Sequence, residues 1–195
     1  MIAAIADMPP HIQERIICSI SAAVKYEIPA NILLAIAEKE GGRPGQKVRN
    51  KNGTYDFGSM QFNTVYINYL SKYGITENDV SAQGCYSYDL AAWRIRGHLL
   101  KDKGDIWTKA ANYHSKTYRY NKIYRDDLII KANKWADWLD DNFRIKDITS
   151  EGGVNIEYST EVENIKNKIN SKNTATTPRG YTQNGSYTPR AITFN

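Results

Sequence analysis

The stretch EIPANILLAIAEKEGG, residues 27–42, decides how this chain is read. Pro29 suits a helix entry and Gly41-Gly42 a helix stop, so the apolar run between them reads as one short helix. Successive helical residues rotate by roughly 100°. Leu33, Ile36, Ala37 and Glu40 therefore share one face, with Glu40 near the middle of the apolar stripe. Glu38 falls far round the helix, beside Asn31 and Ala35, and is expected to face solvent. A carboxylate on a buried stripe either pairs with a cation or lines a cleft with a raised pKa. The negative end of the helix dipole pushes the same way, and a raised pKa is what a general acid needs near neutral pH. On helical phase alone, a structural ion pair and a catalytic acid remain equally open.

Working outward, helix signals dominate from residue 9 to about residue 143. Pro9-Pro10 suits a helix start, followed by Ile12, Ile16, Ile17, Ile20 and Val24 at helical spacing. Asn52-Gly53 is a tight-turn signal that predicts a small hairpin. Further helices are expected over 59–71, 85–102, 105–114 and 120–143, the last on a stripe of Ile123, Leu128, Ile130, Trp135, Trp138 and Leu139. The expectation is a mostly α domain over residues 1–148. Residues 149–195 are rich in Thr, Asn, Ser and Gly, which predicts a flexible tail. No apolar run approaches the ~18–20 residues of a membrane span. The Ala4-Ile5-Ala6 triplet has the small-x-small form of a signal-peptide cleavage site, as if the chain began near a processed end.

A net charge of +5 favours an anionic partner, and nucleic acid, a membrane surface and a cell-wall polymer all fit. Cys18 and Cys85 belong to no zinc-like cluster; they are either buried thiols or one long-range disulfide. His11, His98 and His114 form no metal-ligand spacing, and no metal is expected. Trp93, Trp107, Trp135 and Trp138 read as core residues.

A second stretch, NGTYDFGSMQFN at residues 52–63, follows the glutamate. It puts Asp56, Gly58, Met60 and Gln61 on a turn leading into the next helix. Gly58 permits close backbone approach, and Gln61 offers both a donor and an acceptor to a polar substrate. Asp56 reads on spacing as the cap of the 59–71 helix, with a second catalytic carboxylate as the alternative.

Together, ILLAIAEKEGG and NGTYDFGSMQFN resemble the goose-type-lysozyme-related (SLT) lytic transglycosylases, in the form found in conjugation and type IV secretion systems. The resemblance covers about residues 10–140 and implies a lysozyme-like fold with a glycan groove, acting on peptidoglycan in the periplasm. It implies Glu40 as the acid/base, with Met60, Gln61 and Asn63 from the second motif near substrate. The family's A-Y-N-A-G motif appears as NYHSK, so that Tyr113 matches the groove tyrosine while His114 and Ser115 depart from the pattern, and His114, adjoining the groove, is a candidate glycan contact. It further implies a Cys18–Cys85 disulfide, no cofactor, glycan strands as substrate and a monomer that meets secretion-apparatus subunits through its tail.

The implied reaction protonates the glycosidic oxygen between N-acetylmuramic acid and N-acetylglucosamine and closes an anhydro sugar. Asp56 raises a fork, because a retaining hydrolase sets two carboxyl groups about 5–5.5 Å apart. An electrostatic role for Asp56 is the expectation. Two rivals stand beside this reading. NYHSKTYRYNKIYR, residues 112–125, interleaves aromatics with Lys and Arg as single-strand nucleic-acid binders do. The other rival is a catalytically silent, lysozyme-like adaptor.

Overall fold

The computed structural model describes residues 5–143. The expected tail at 149–195 and the Ala4-Ile5-Ala6 triplet's first residue lie outside them. Among the described residues, seven α-helices and one small sheet run in the order α1 (Pro10–Lys25), α2 (Ala30–Glu40), β1 (Lys47–Arg49), β2 (Tyr55–Phe57), β3 (Phe62–Asn63), α3 (Thr64–Leu70), α4 (Glu77–Ser81), α5 (Tyr86–Lys101), α6 (Ile106–Ala111) and α7 (Tyr118–Asn142).

The helix α2 is the axis of the domain. It packs against α1 on one side and α7 on the other, and every residue from Ile32 to Ala37 is buried. Burying each such Leu or Ile is worth about 1.5–3 kcal/mol. Pro10 begins α1, where its missing N–H leaves no partner unsatisfied. Gly41 ends α2 in the left-handed conformation at φ +61°, its N–H returning to the Ala37 carbonyl.

Encirclement of α2 corrects one expectation. Glu38 does not stand free in solvent, because α7 covers the far side of the helix. Its Oε1 accepts from Lys131 at 3.1 Å and its Oε2 from the Trp135 indole at 2.7 Å. Glu38 is therefore an ion-paired strut between α2 and α7.

The predicted hairpin forms. β1 and β2 are antiparallel with Val48 opposite Asp56, and the Asn50 N–H reaches the Thr54 carbonyl across the turn. β3 pairs antiparallel with the other edge of β2, opposing Asn63 to Asp56. The expected 59–71 helix starts instead at Thr64: residues 58–61 make a turn and Phe62–Asn63 a strand. Asp56 consequently lies in the central strand and caps nothing; Asn63 caps α3, its side chain accepting from the Val65 N–H at 3.0 Å.

Cys18 of α1 and Cys85, at the start of α5, form a disulfide. The inward face of α7 carries Asn121, Tyr124, Leu128, Ala132 and Trp138, whereas Ile123 and Ile130 of the expected stripe are exposed. Trp138 is buried as expected, and Trp93, Trp107 and Trp135 are half-buried against the core.

Candidate active site

Two glycines join the motifs that lie apart in sequence. A Cβ on Gly42 would sit 2.1 Å from the Gly58 carbonyl oxygen and 2.6 Å from Gln61 Nε2. A Cβ on Gly58, at φ +67°, would sit 2.2 Å from the Val80 carbonyl oxygen. The chain leaving Glu40 thus rests directly on the 58–61 turn, which rests on the end of α4. Contact this close admits only glycine at both positions.

Glu40 stands half-buried at the last residue of α2, and the Tyr124 hydroxyl donates to its Oε1 at 2.7 Å. Oε2 has no hydrogen-bond partner among the described residues. A cavity of about 270 Å³ opens there, lined by Lys39, Glu40, His114, Tyr120, Ile123 and Tyr124. Burial pushes the Glu40 carboxyl up to about 7; the Tyr124 hydrogen bond pulls it down and the Asp56 charge pushes it further up. The adjacent Lys39 pairs with Asp127 and lies over the Tyr124 ring, 4.8 Å from its centroid.

His114 stacks face to face on Tyr124, centroids 4.8 Å apart and planes within 7°. Burial, with the Lys39 charge second, lowers its pKa. It therefore faces the cavity as a neutral imidazole at neutral pH.

Asp56 is held on both sides. Asn50 Nδ2 donates to Oδ2 at 2.9 Å and Asn63 Nδ2 to Oδ1 at 2.7 Å. Asn63 also donates to Thr54 Oγ1 while capping α3, so its role here is to fix Asp56. Gln61 adopts the left-handed region at φ +49°, a strained choice for a non-glycine residue. Its Nε2 donates to the Gly58 carbonyl, and its Oε1 has no hydrogen bond among the described residues.

Two expected substrate contacts are corrected. The Met60 side chain is wholly buried, and Tyr113 is 4% exposed with its hydroxyl donating to the Met60 carbonyl at 2.8 Å. Both side chains belong to the core beneath the 58–61 turn. Together they pin the 58–61 turn to the end of α6.

Sequence reading missed Tyr124, Asn50 and Lys39. Tyr124 was detectable: it sits one turn before the buried Leu128, on the stripe that continues through Ala132.

The family of the Transglycosylase SLT domain matches residues 17–133, well over half of the chain. The chain belongs to this family. It is a lytic transglycosylase domain, with peptidoglycan as the substrate class of its family. The domain is 33% identical to Protein IpgF of Shigella flexneri over 133 residues, 63% of this chain and 86% of that protein. It is 28% identical to Invasion protein IagB of Salmonella typhi over 136 residues, 69% of this chain and 80% of that one. The matched segment of the transglycosylase domain contains Cys18, Glu40, Asp56, Gln61, His114 and Tyr124.

Proposed function

We propose that Glu40 is the general acid and base of a peptidoglycan lytic transglycosylase that cuts the β-1,4 bond between N-acetylmuramic acid and N-acetylglucosamine. The observation that carries this reading is the Glu40 carboxyl itself: at the mouth of a cavity, with a pKa of about 7, and donated to on one oxygen only. Since Tyr124 donates to Oε1, the acidic proton resides on Oε2, the oxygen free to meet substrate. Oε2–H protonates the glycosidic oxygen as its bond to the muramoyl C1 breaks. The substrate acetamido oxygen stabilises the cationic centre. The Glu40 carboxylate then takes the proton of the muramoyl C6 hydroxyl as that oxygen closes on C1. No water is consumed, and Glu40 ends protonated as it began.

Asp56 acts electrostatically. Its carboxylate is tethered by two amides, which suits a fixed negative charge facing a developing oxocarbenium ion better than a nucleophile that must move. Gln61 Oε1 and the neutral imidazole of His114 offer polar groups to the glycan. The disulfide fits an oxidising compartment such as the periplasm. No helix among the described residues is long and apolar enough to cross a membrane. A relative named as an invasion protein fits local opening of the wall for a secretion or conjugation apparatus.

Digestion of purified peptidoglycan by wild type and Glu40→Gln, with mass analysis of the products, tests this. Anhydro-muropeptides from wild type and none from the variant are expected. Reducing-end products alone would instead make Asp56 a partner in hydrolysis.

A further inference from the structure

Arg94 of α5 is held in a way that no other arginine of the described residues is. Its guanidinium carbon lies 4.1 Å from the Tyr66 ring centroid and 4.6 Å from that of Tyr113. Arg96 bonds the Tyr26 carbonyl and Glu27, and Arg125 bonds Thr108. Arg94, half-buried, has neither a hydrogen bond nor an ion pair among the described residues. Stacking occupies the faces of a guanidinium and leaves its five N–H donors, which lie in the plane, unused. An unpaired, partly desolvated guanidinium lacks an anion. The partner that fits its fork best is a carboxylate, taken bidentately.

The position points to substrate. Tyr113 is the residue that pins the 58–61 turn, and the Arg94 charge is felt by Glu40, His114 and Tyr124 on the cavity wall. From Arg94 an aromatic strip runs outward along α3. Tyr66 stacks on Tyr69 with centroids 6.0 Å apart and planes within 15°. Tyr69 meets Tyr73, and Lys72 Nζ lies 3.9 Å over the exposed Tyr69 ring. Such a strip pairs flat faces for sugar rings with cations for their acidic substituents.

We propose that Arg94, clamped between Tyr66 and Tyr113, is a specificity-determining residue that binds a carboxylate borne by the glycan strand. Two groups supply that chemistry: the lactyl carboxylate of a muramoyl residue without a peptide, and the acidic groups of a peptide stem. The inference rests on the glycan-cleaving reading of the site.

Three soluble polymers separate the cases: strands with intact stems, strands stripped of stems by an amidase, and stripped strands whose carboxyl groups are converted to primary amides. KM is measured for wild type, Arg94→Gln and Arg94→Lys, and Kd for the same three in a Glu40→Gln background. Wild type should prefer a carboxylate-bearing strand over the amidated one by about tenfold, the worth of one charge-assisted hydrogen-bonded pair. Arg94→Gln should erase that ratio, and Arg94→Lys should keep part of it. Preference for intact strands assigns the stem, and preference for stripped strands the lactyl group. The ratio is taken within one protein, so a reduced folded fraction cancels. An equal ratio in wild type and Arg94→Gln, or no preference in wild type, overturns the proposal. Failure of the catalytic reading shows separately, as undiminished cleavage by Glu40→Gln, while the Kd ratios still report on Arg94.

Discussion

The end of α2 and the junction of α5 with α6 each hold a carboxyl group partly withdrawn from water, with opposite results. Glu40 has one neutral donor, the Tyr124 hydroxyl, and a neighbouring negative charge in Asp56; burial pushes it up to about 7. Burial pulls Asp102 upward too, but three donors more than reverse it. Lys116 Nζ at 2.7 Å, Asn112 Nδ2 at 2.8 Å and His98 Nδ1 at 2.7 Å together hold it down to about 2. Glu40 is the more deeply desolvated of the two and has fewer, uncharged donors, and both differences drive the carboxyls in opposite directions. The Asp102 cluster reaches the cavity wall. Asn112 passes the connection to Asn121, which also holds the Ser115 carbonyl, and so fixes the loop that presents His114 to Tyr124.

The largest expected effect exchanges the two carboxyls' fates. Glu40→Gln should lower peptidoglycan turnover by at least about 10²-fold, the lower bound for a lost general acid. Its thermal stability at pH 7 should match or exceed that of wild type, since a partly buried ionisable group gives way to a neutral one. Asp102→Asn should do the reverse. It leaves donors without their anion, at a cost of about 1–3 kcal/mol, while most of the turnover survives. Turnover and melting temperature measured on both variants test this crossing. Abolished turnover in Asp102→Asn with unchanged stability would break the comparison.

A smaller effect lies in how stability follows pH. The folded-state pKa of Glu40 is above its ordinary 4.5, so its contribution is most favourable in acid and is lost as pH rises through about 7. The stability of wild type relative to Glu40→Gln should therefore fall between pH 4.5 and 7. Asp102 has a lowered pKa, so its contribution is complete above 3.8 and is lost as pH falls toward 2. The stability of wild type relative to Asp102→Asn should fall in that acid window instead. Denaturant melts of the three proteins across pH 2–8 measure both slopes; slopes of the same sign would show that the donor sets do not act as described.

Much of the acid site was legible because it is local. Helical phase places Glu40, Asn52-Gly53 places the hairpin, and Gly41-Gly42 stops the helix, each within a few residues. The Asp102 cluster was not legible, because its partners come from α5, α6 and the loop before α7, and no periodicity connects them. Phase also misled where a helix is surrounded: Glu38 points away from the stripe of α2 and still meets α7. On α7 the large aliphatics Ile123 and Ile130 suggested the wrong face. The inward positions there are taken by Asn121 and Tyr124, whose task is to bond polar groups, and hydrophobicity alone does not register that.

The finest expected effect tests whether neighbours set the acidity of Glu40 in the stated directions. The acid must be protonated in the free enzyme, so kcat/KM should fall as pH rises through about 7. Tyr124→Phe removes a donor that favours the carboxylate, so this alkaline limb should move to higher pH. Asp56→Asn removes a charge that disfavours the carboxylate, so the limb should move to lower pH. Loss of folding or of substrate affinity would scale either profile or raise KM, but neither would shift the two limbs in opposite directions. Profiles of kcat/KM on soluble glycan strands therefore isolate the electrostatics. Unmoved limbs would mean that burial alone governs the Glu40 carboxyl, and shifts of the same sign would overturn the stated directions.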